Sequence, residues 1–329
     1  MTATATRINL VETHGSRRGI LDFTLPQTVA CLALVAAVAV APMVLYPLFL
    51  MKVMCFGLFA LAFNLLIGHV GLLSFGHAAF FGMGSYVTAY ASKTLGLPPE
   101  ASIVLGGAVG ALLGLAVGSL AIRRSGIYFA MITLALAQMV YFFCLQAPFT
   151  GGEDGIQQVP RGSLLGIISV ADDTVMYWLV AVVFLGGLIF VQRVVTSPFG
   201  EILRGIRENE DRMVSLGYRV SDYKLIAFVL SAGLSGVAGG MKSLVFGIAT
   251  LTDVHWTMSG EVILMNLVGG LGTVFGPVVG AGILVAMQNY FAQFGAWVTV
   301  IQGVIFVACV LAFRSGVIGE LAKRLKVTL

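Results

Sequence analysis

Residues 28–46 read "TVACLALVAAVAVAPMVLY" and residues 177–192 read "YWLVAVVFLGGLIFVQ", and neither stretch contains a charged side chain. Hydrophobic residues make up 58% of the 329 residues and charged residues only 10%, against roughly 45–50% and about 25% in ordinary soluble domains. A helix that crosses a bilayer needs about 20 mostly apolar residues, and several such runs follow one another. The sequence therefore predicts an all-α fold, a polytopic bundle of transmembrane helices.

The spacing of the apolar runs predicts eight to ten spans. Because cytoplasmic loops carry the excess of Lys and Arg, the clustering of most of the 19 basic residues in four segments predicts ten spans with both termini in the cytoplasm. Eight spans also fit if 259–292 is a re-entrant hairpin. The ten predicted spans are 27–48, 51–67, 71–92, 101–122, 126–146, 174–192, 224–248, 259–271, 276–292 and 296–313.

The predicted organisation is a single membrane domain, 27–313, with its longest cytoplasmic loop at 193–223. We expect 1–26 to be a cytoplasmic segment that is not a cleaved signal, because its polar lead is long, and 314–329 to be a cytoplasmic tail.

Small residues recur at every fourth position in three places. Such spacing lets membrane helices pack closely, so we predict a tightly packed bundle. The three strips are Gly106, Gly110, Gly114 and Gly118; Gly272, Gly276 and Gly280; and Ala232, Gly236 and Gly240.

Two segments, 64–86 and 266–282, are interrupted by Gly, Pro and polar residues. Broken helices in a bilayer line cavities, and such segments in corresponding positions indicate a translocation path. They are candidates for corresponding parts of two repeats. The polar candidates for the path are Asn64, Ser74, His77, Ser85, Tyr86, Gln138, Glu261 and Asn266, with Gln288 and Asn289 nearby; for each, the alternative is a hydrogen bond between helices.

The stretch 197–224 holds five basic and five acidic residues, so membrane orientation alone does not explain its charge. Ser197 followed by Pro198 predicts one helix start, Asn209 predicts a second, and Gly217 is placed to end the second helix. Two short helices would present a charged knob (residues 198–217) to the cytoplasm. The knob suits docking to a soluble partner; a solvated loop with internal ion pairs is the alternative.

Motifs of soluble catalysis are missing from the sequence: it has no H-E-x-x-H, no G-x-S-x-G and no phosphate-binding G-x-x-x-x-G-K-[ST]. The four cysteines lie apart in apolar runs and read as packing residues. We expect no enzyme activity, cofactor, metal or nucleic-acid partner. The paucity of acidic residues inside the spans also disfavours an ion-coupled secondary carrier, which remains an alternative beside a membrane scaffold or embedded enzyme.

Five motifs in order resemble the LivM-type permeases of ABC importers for branched-chain amino acids. They are "NLLIGHVGLLSFGHAAFFGMGSY" (64–86), "IYFAMITLALAQ" (127–138), "TGGEDGI" (150–156), "SPFGEILRGIRENEDRMVSLGYRVSDYKLIAFVLSAGLSGVAGG" (197–240) and "GGLGTVFGPVVGA" (269–281).

This resemblance implies a bacterial inner-membrane importer with a second, LivH-type permease, two ATP-binding cassette subunits and a periplasmic solute-binding protein. Membrane lipid is the other partner expected of the chain. It also implies that the knob carries a coupling helix. Asp211, Arg212 and Met213 stand where the general importer motif has Glu-Ala-Ala. Related permeases serve branched-chain amino acids, urea, short amides or aromatic acids. The predicted coupling residues are Glu208, Asn209, Glu210, Asp211, Arg212 and Gly217.

Overall fold

The computed structural model describes residues 25–325 apart from positions 44, 165, 167, 296 and 313–315. Positions 1–24, 314–315 and 326–329 of the predicted terminal segments therefore lie outside the described residues. The fold is helical. Its helices are α1 Leu25–Val40, α2 Pro47–Asn64, α3 His77–Lys93, α4 Pro99–Ala121, α5 Ile127–Gln146, α6 Asp173–Thr196, α7 Pro198–Glu208, α8 Glu210–Ser215, α9 Val220–Phe246, α10 Leu251–Val254, α11 Trp256–Gly269, α12 Gly276–Tyr290, α13 Trp297–Ala312 and α14 Gly316–Leu325.

Five helical segments in the described part of the chain are long and apolar enough to cross a membrane, so the protein is multi-pass. They are Pro47–Val70, Pro99–Ala121, Ile127–Gln146, Asp173–Thr196 and Val220–Phe246. The remaining apolar helices, α1, α3, α11, α12 and α13, have 14 to 17 residues. At 1.5 Å per residue they are shorter than the ~30 Å hydrocarbon core, and the number of crossings stays a prediction.

Two predicted span boundaries do not match the helices. The first span does not run to 48, because the α-helix ends at Val40 and Pro47 begins α2 as its first residue. The third predicted span does not begin at 71, since residues 72–76 are not helical and α3 starts at His77. The seventh predicted span, 224–248, lies within α9 except for its last two residues.

Helix α9 lies at the centre of the bundle and packs against α2, α3 and α4, and α6 packs mainly against α2. Two predicted glycine strips are the two sides of one interface, because a Cβ on Gly110 of α4 would lie 3.1 Å from Cα of Gly236 on α9. Backbone contact this close requires glycine. The third strip is only partly helical: Gly276 and Gly280 pack α12 on α11, but Gly272 lies in the preceding turn with φ +79°.

Short strands lie at one end of the bundle. β1 (Ile156–Gln157) pairs antiparallel with β4 (Ile248–Ala249), and β2 (Ser163–Leu164) pairs antiparallel with β3 (Ile168–Ser169). β4 directly follows α9, whereas the knob directly precedes α9. Since α9 has 27 residues, the strands and the knob lie about 40 Å apart along it, at opposite ends.

The two helices of the knob form as predicted. The Ser197 side chain accepts a hydrogen bond from the Gly200 N–H at 3.4 Å, with Pro198 as the first residue of α7. The Asn209 Oδ1 accepts from the Arg212 N–H at 3.0 Å and caps α8. Gly217 follows α8 with φ +89°, the left-handed conformation that favours glycine after a helix.

Candidate functional site

Both interrupted segments are broken helices. After α2 the chain changes to a π-helical segment over Leu65–Val70 and leaves the helix at Gly71, where φ is +81°. The π-helical segment and the non-helical residues after it, 65–76 together, are called the first break. After α11 the chain is not helical again until Gly276, and residues 270–275 are the second break. Both interruptions were predicted from the sequence.

The two breaks contact each other in the interior. The Asn64 Nδ2 donates to the Thr273 carbonyl at 2.8 Å, and the Asn64 Oδ1 accepts from the Gly272 N–H at 3.1 Å. In the other direction, the Asn266 Nδ2 donates to the Ala60 carbonyl of α2 at 3.1 Å. Both asparagines are fully buried. Asn64, at the end of α2, therefore binds backbone of the second break, whereas Asn266 on α11 binds helical backbone of α2 just before the first break. Whether the two segments are true repeats stays a prediction.

Two further candidates hold the start of α3. Ser74 Oγ accepts a hydrogen bond from the Gly76 N–H at 3.1 Å. His77 Nε2 lies 2.8 Å from Ser231 Oγ. Because that hydroxyl donates to the Ala62 carbonyl at 2.6 Å, the histidine N–H is the donor. The ring is edge-on to three phenylalanines, Phe63, Phe80 and Phe228.

Ser85 and Tyr86 lie beside a buried ion pair that was not predicted from the sequence. Lys242 Nζ of α9 is 2.7 Å from Asp253 Oδ2 of α10. The same oxygen accepts from the Thr250 N–H at 3.1 Å and from Ser85 Oγ at 3.4 Å. The Tyr86 side chain is 1% exposed and its hydroxyl has no hydrogen-bond partner among the described residues. A buried ion pair in an apolar bundle is a functional-site candidate.

The remaining candidates make no described hydrogen bond to this pair. Glu261 Oε2 of α11 accepts a hydrogen bond from Gln288 Nε2 of α12 at 3.1 Å. Gln138 is half-buried on α5, and Asn289 is exposed at the end of α12. No described hydrogen bond joins Gln138 to another candidate. The structure thus brings Asn64 into contact with the second break, and no described hydrogen bond brings Gln138 to either break.

The knob presents a mixed surface. Lys224 Nζ, whose side chain is 7% exposed, pairs with Glu210 Oε1 at 2.6 Å and ties α8 to α9. The other predicted coupling residues are exposed: Glu208, Asn209, Asp211, Arg212 and Gly217.

Two apolar side chains beside those residues, Val214 and Leu216, are 56% and 65% exposed. Their exposure was not predicted, because two apolar residues in a short helical segment would ordinarily be buried. An exposed apolar centre with charged surroundings is typical of protein interfaces.

Metal and redox chemistry have no visible site in the described residues. They contain no group of three or more His, Cys, Asp or Glu side chains able to hold a metal. Cys55, Cys144 and Cys309 are free, and Cys144 Sγ packs 3.4 Å from the Met83 sulfur. The two buried cysteines therefore act in packing, as predicted.

A bundle of apolar helices with two interior breaks that meet and a helical knob at one end defines a membrane permease. The chain belongs to the family described as branched-chain amino acid transport system permease components, whose model matches residues 45–310. It is a permease subunit of an ABC importer and not an enzyme.

Individual relatives agree with this family. The chain is 26% identical to the high-affinity branched-chain amino acid transport system permease protein LivM of Salmonella typhimurium, over 83% of this chain and 70% of that protein. A probable LivM of Methanocaldococcus jannaschii is 26% identical over 70% of this chain and 77% of its own length. A probable LivH of the same organism is 24% identical over 82% and 90%. No solved structure matches the chain.

Proposed function

We propose that this chain is the LivM-type half of an importer for branched-chain amino acids, and that the two breaks line its translocation path. The main support for this path is the contact of Asn64 with the Gly272–Thr273 backbone, because that contact joins the two broken segments in the interior. Irregular backbone at membrane depth occurs where it lines a cavity or is buried in protein.

The substrate follows from the relatives: two proteins named LivM for branched-chain amino acid transport match most of this chain. We expect leucine, isoleucine or valine, delivered by a periplasmic solute-binding protein. Urea, short amides and aromatic acids are the other solutes to test. Ligand binding by the partner solute-binding protein distinguishes these substrates, since that protein sets much of the specificity.

The partners are a second, LivH-type permease and two ATP-binding cassette subunits. The similarity of one chain to both LivM and LivH relatives fits a pair of related permeases. The complex would lie in the bacterial inner membrane, surrounded by lipid, with ten crossings and both termini in the cytoplasm. Placing the knob in the cytoplasm agrees with the strands lying at the other end of α9.

The path residues in this proposal are Asn64, Ser74, His77, Ser85, Tyr86, Gln138, Glu261 and Asn266. ATP-driven closure of the ATPase subunits would move the knob and rock the helices around the breaks. In the knob, α8 with the flanking Glu208, Asn209 and Gly217 forms the coupling helix. The exposed Val214 and Leu216 would enter a groove of the ATPase while Asp211 and Arg212 contact its rim.

The test reconstitutes the permease pair with its ATPase and binding protein in proteoliposomes. Asp211→Ala with Arg212→Ala and Leu216→Ser should abolish leucine uptake and substrate-stimulated ATP hydrolysis while leaving the permease in the membrane. Glu210 is spared because it pairs with Lys224. The control, Glu201→Ala with Arg204→Ala, removes an exposed ion pair of α7.

Wild-type uptake by the triple variant would refute the coupling role. A secondary carrier would instead be established if the purified chain alone moved leucine on an ion gradient.

A further inference from the structure

We propose that Arg207 of α7 is the positioning residue that connects the knob to both broken helices. The inference deepens the proposed function and rests on its assignment of the knob to ATPase coupling. Arg207 Nη1 donates a hydrogen bond to the Gly68 carbonyl, inside the first break. One residue of the cytoplasmic loop therefore contacts the backbone of the translocation path itself.

The same side chain lies against both breaks. A Cβ on Gly71 would lie 3.2 Å from Cγ of Arg207, and a Cβ on Gly272 would lie 3.4 Å from its Nη1. Both glycines have left-handed backbone, with φ +81° and +79°. The two breaks thus lack side chains where the arginine passes, and a single guanidinium lies at their meeting point.

Electrostatics explains why a cation belongs here. α2 with its π-helical extension ends at Val70 and α11 ends at Gly269, so two helix C-termini converge beside Arg207. Each C-terminus carries unpaired carbonyls and roughly half a negative charge, which a cation stabilises. A planar guanidinium has five N–H donors and can donate hydrogen bonds to carbonyl groups that point in different directions.

The connection is continuous from the knob to the second break. Leu203 and Ile206 are buried and fix α7 against the bundle, so that a movement of α7 moves Arg207. From Gly68 the linkage passes to Asn64, four residues earlier, whose side chain holds Gly272 and Thr273. Displacement of the knob withdraws the cation from both helix ends and loosens the contact between the breaks, which opens the path on the inner side.

The experiment uses the assembled complex in proteoliposomes with leucine as the probe. Arg207→Met should leave assembly and basal ATP hydrolysis intact, yet lower leucine uptake and the stimulation of ATP hydrolysis by loaded binding protein by about tenfold or more, the size of a typical coupling between sites. Arg204→Met is the matched control. That arginine lies one turn earlier on the same helix and, like Arg207, is exposed, but it pairs with Glu201 instead of Gly68. Equal stimulation in the two variants would overturn the proposal.

A second arm separates charge from folding. Arg207→Cys, in a background with Cys31 and Cys309 replaced by alanine, is assembled and then treated with an aminoethyl or an ethyl methanethiosulfonate. The cationic adduct should restore stimulation and the neutral adduct of similar length should not; equal behaviour of the two adducts would also overturn the proposal. The triple variant at Asp211, Arg212 and Leu216 distinguishes failure of the Arg207 proposal from failure of the proposed coupling role of the knob. If it loses uptake while Arg207→Met does not, the knob couples to the ATPase but not through Arg207.

Discussion

Asn64 and Thr273, 209 positions apart in the chain, are joined by a hydrogen bond of 2.8 Å between the Asn64 Nδ2 and the Thr273 carbonyl. The other end of the same carboxamide accepts the Gly272 N–H at 3.1 Å. One side chain thus satisfies a donor and an acceptor of a backbone segment that has left the helix. Buried backbone groups require such partners.

Replacement of Asn64 by leucine is therefore predicted to destabilise the protein. Leucine is similar in size but leaves both backbone groups of the second break without a partner, at a cost of about 1–3 kcal/mol for each buried group. Thermal unfolding of the purified permease in detergent should shift to lower temperature, and leucine uptake should fall with it. Asn289→Leu, an exposed position near the end of α12, is the control. Equal melting of the two variants would contradict the assigned role of Asn64.

The Lys242–Asp253 ion pair leads to a second prediction. The two side chains are 11% and 3% exposed. Removing one partner leaves the other charge buried, which costs about 3–5 kcal/mol in known cases. Lys242→Met should therefore reduce the amount of folded permease strongly, whereas Lys242→Met combined with Asp253→Asn should recover much of it. The measurement is monodisperse permease after detergent extraction, with Glu201→Gln at an exposed pair as control. Additive losses in the double variant would show that the charges are not coupled.

Local rules predicted the parts of this fold that depend on neighbouring residues. Asn209 and Ser197 cap their helices as expected, because capping depends on a donor only three residues away. The small-residue spacing likewise predicted close helix packing, although not that the α4 and α9 strips face each other.

Contacts between distant parts of the chain could not be predicted in this way. Lys242 lies inside an apolar run, and its partner Asp253 lies in a short connection outside every predicted span. The pair forms only because α10 folds back against α3. Arg207 was one of several arginines in the loop, and nothing in its neighbours distinguishes it from Arg204. Only the fold separates an arginine that reaches the breaks from one that pairs with its own helix.

Close packing of α3 on α9 gives a third prediction. A Cβ on Gly84 would overlap the backbone of Gly236, which cannot move aside as a flexible side chain can. Gly84→Ala should force the helices apart and lower the yield of folded permease severely, since overpacking costs about 1–3 kcal/mol or more. Gly260→Ala is the matched control, because a Cβ there meets nothing within 4 Å. It should be neutral or slightly stabilising in a thermal melt. Similar behaviour of the two alanine variants would contradict the close contact of α3 and α9.

The cap of α8 gives the last prediction, which separates the shape of the knob from its charge. α8 has only six residues, so the hydrogen bond from the Arg212 N–H to Asn209 Oδ1 is a large part of what holds its first turn. Loss of an N-cap costs about 1 kcal/mol, and a preformed helix binds with less ordering cost. Asn209→Ala should weaken binding of the ATPase subunits to the permease in nanodiscs by about fivefold, the equivalent of that free energy.

Asn209→Ser keeps a capping hydroxyl and the same net charge, and should bind almost as tightly as the unaltered chain. Because neither substitution changes the charge of the knob, a difference between them reports on helix formation alone. If serine weakened binding as much as alanine, Asn209 would have to contact the ATPase directly, and the cap would not be its main contribution.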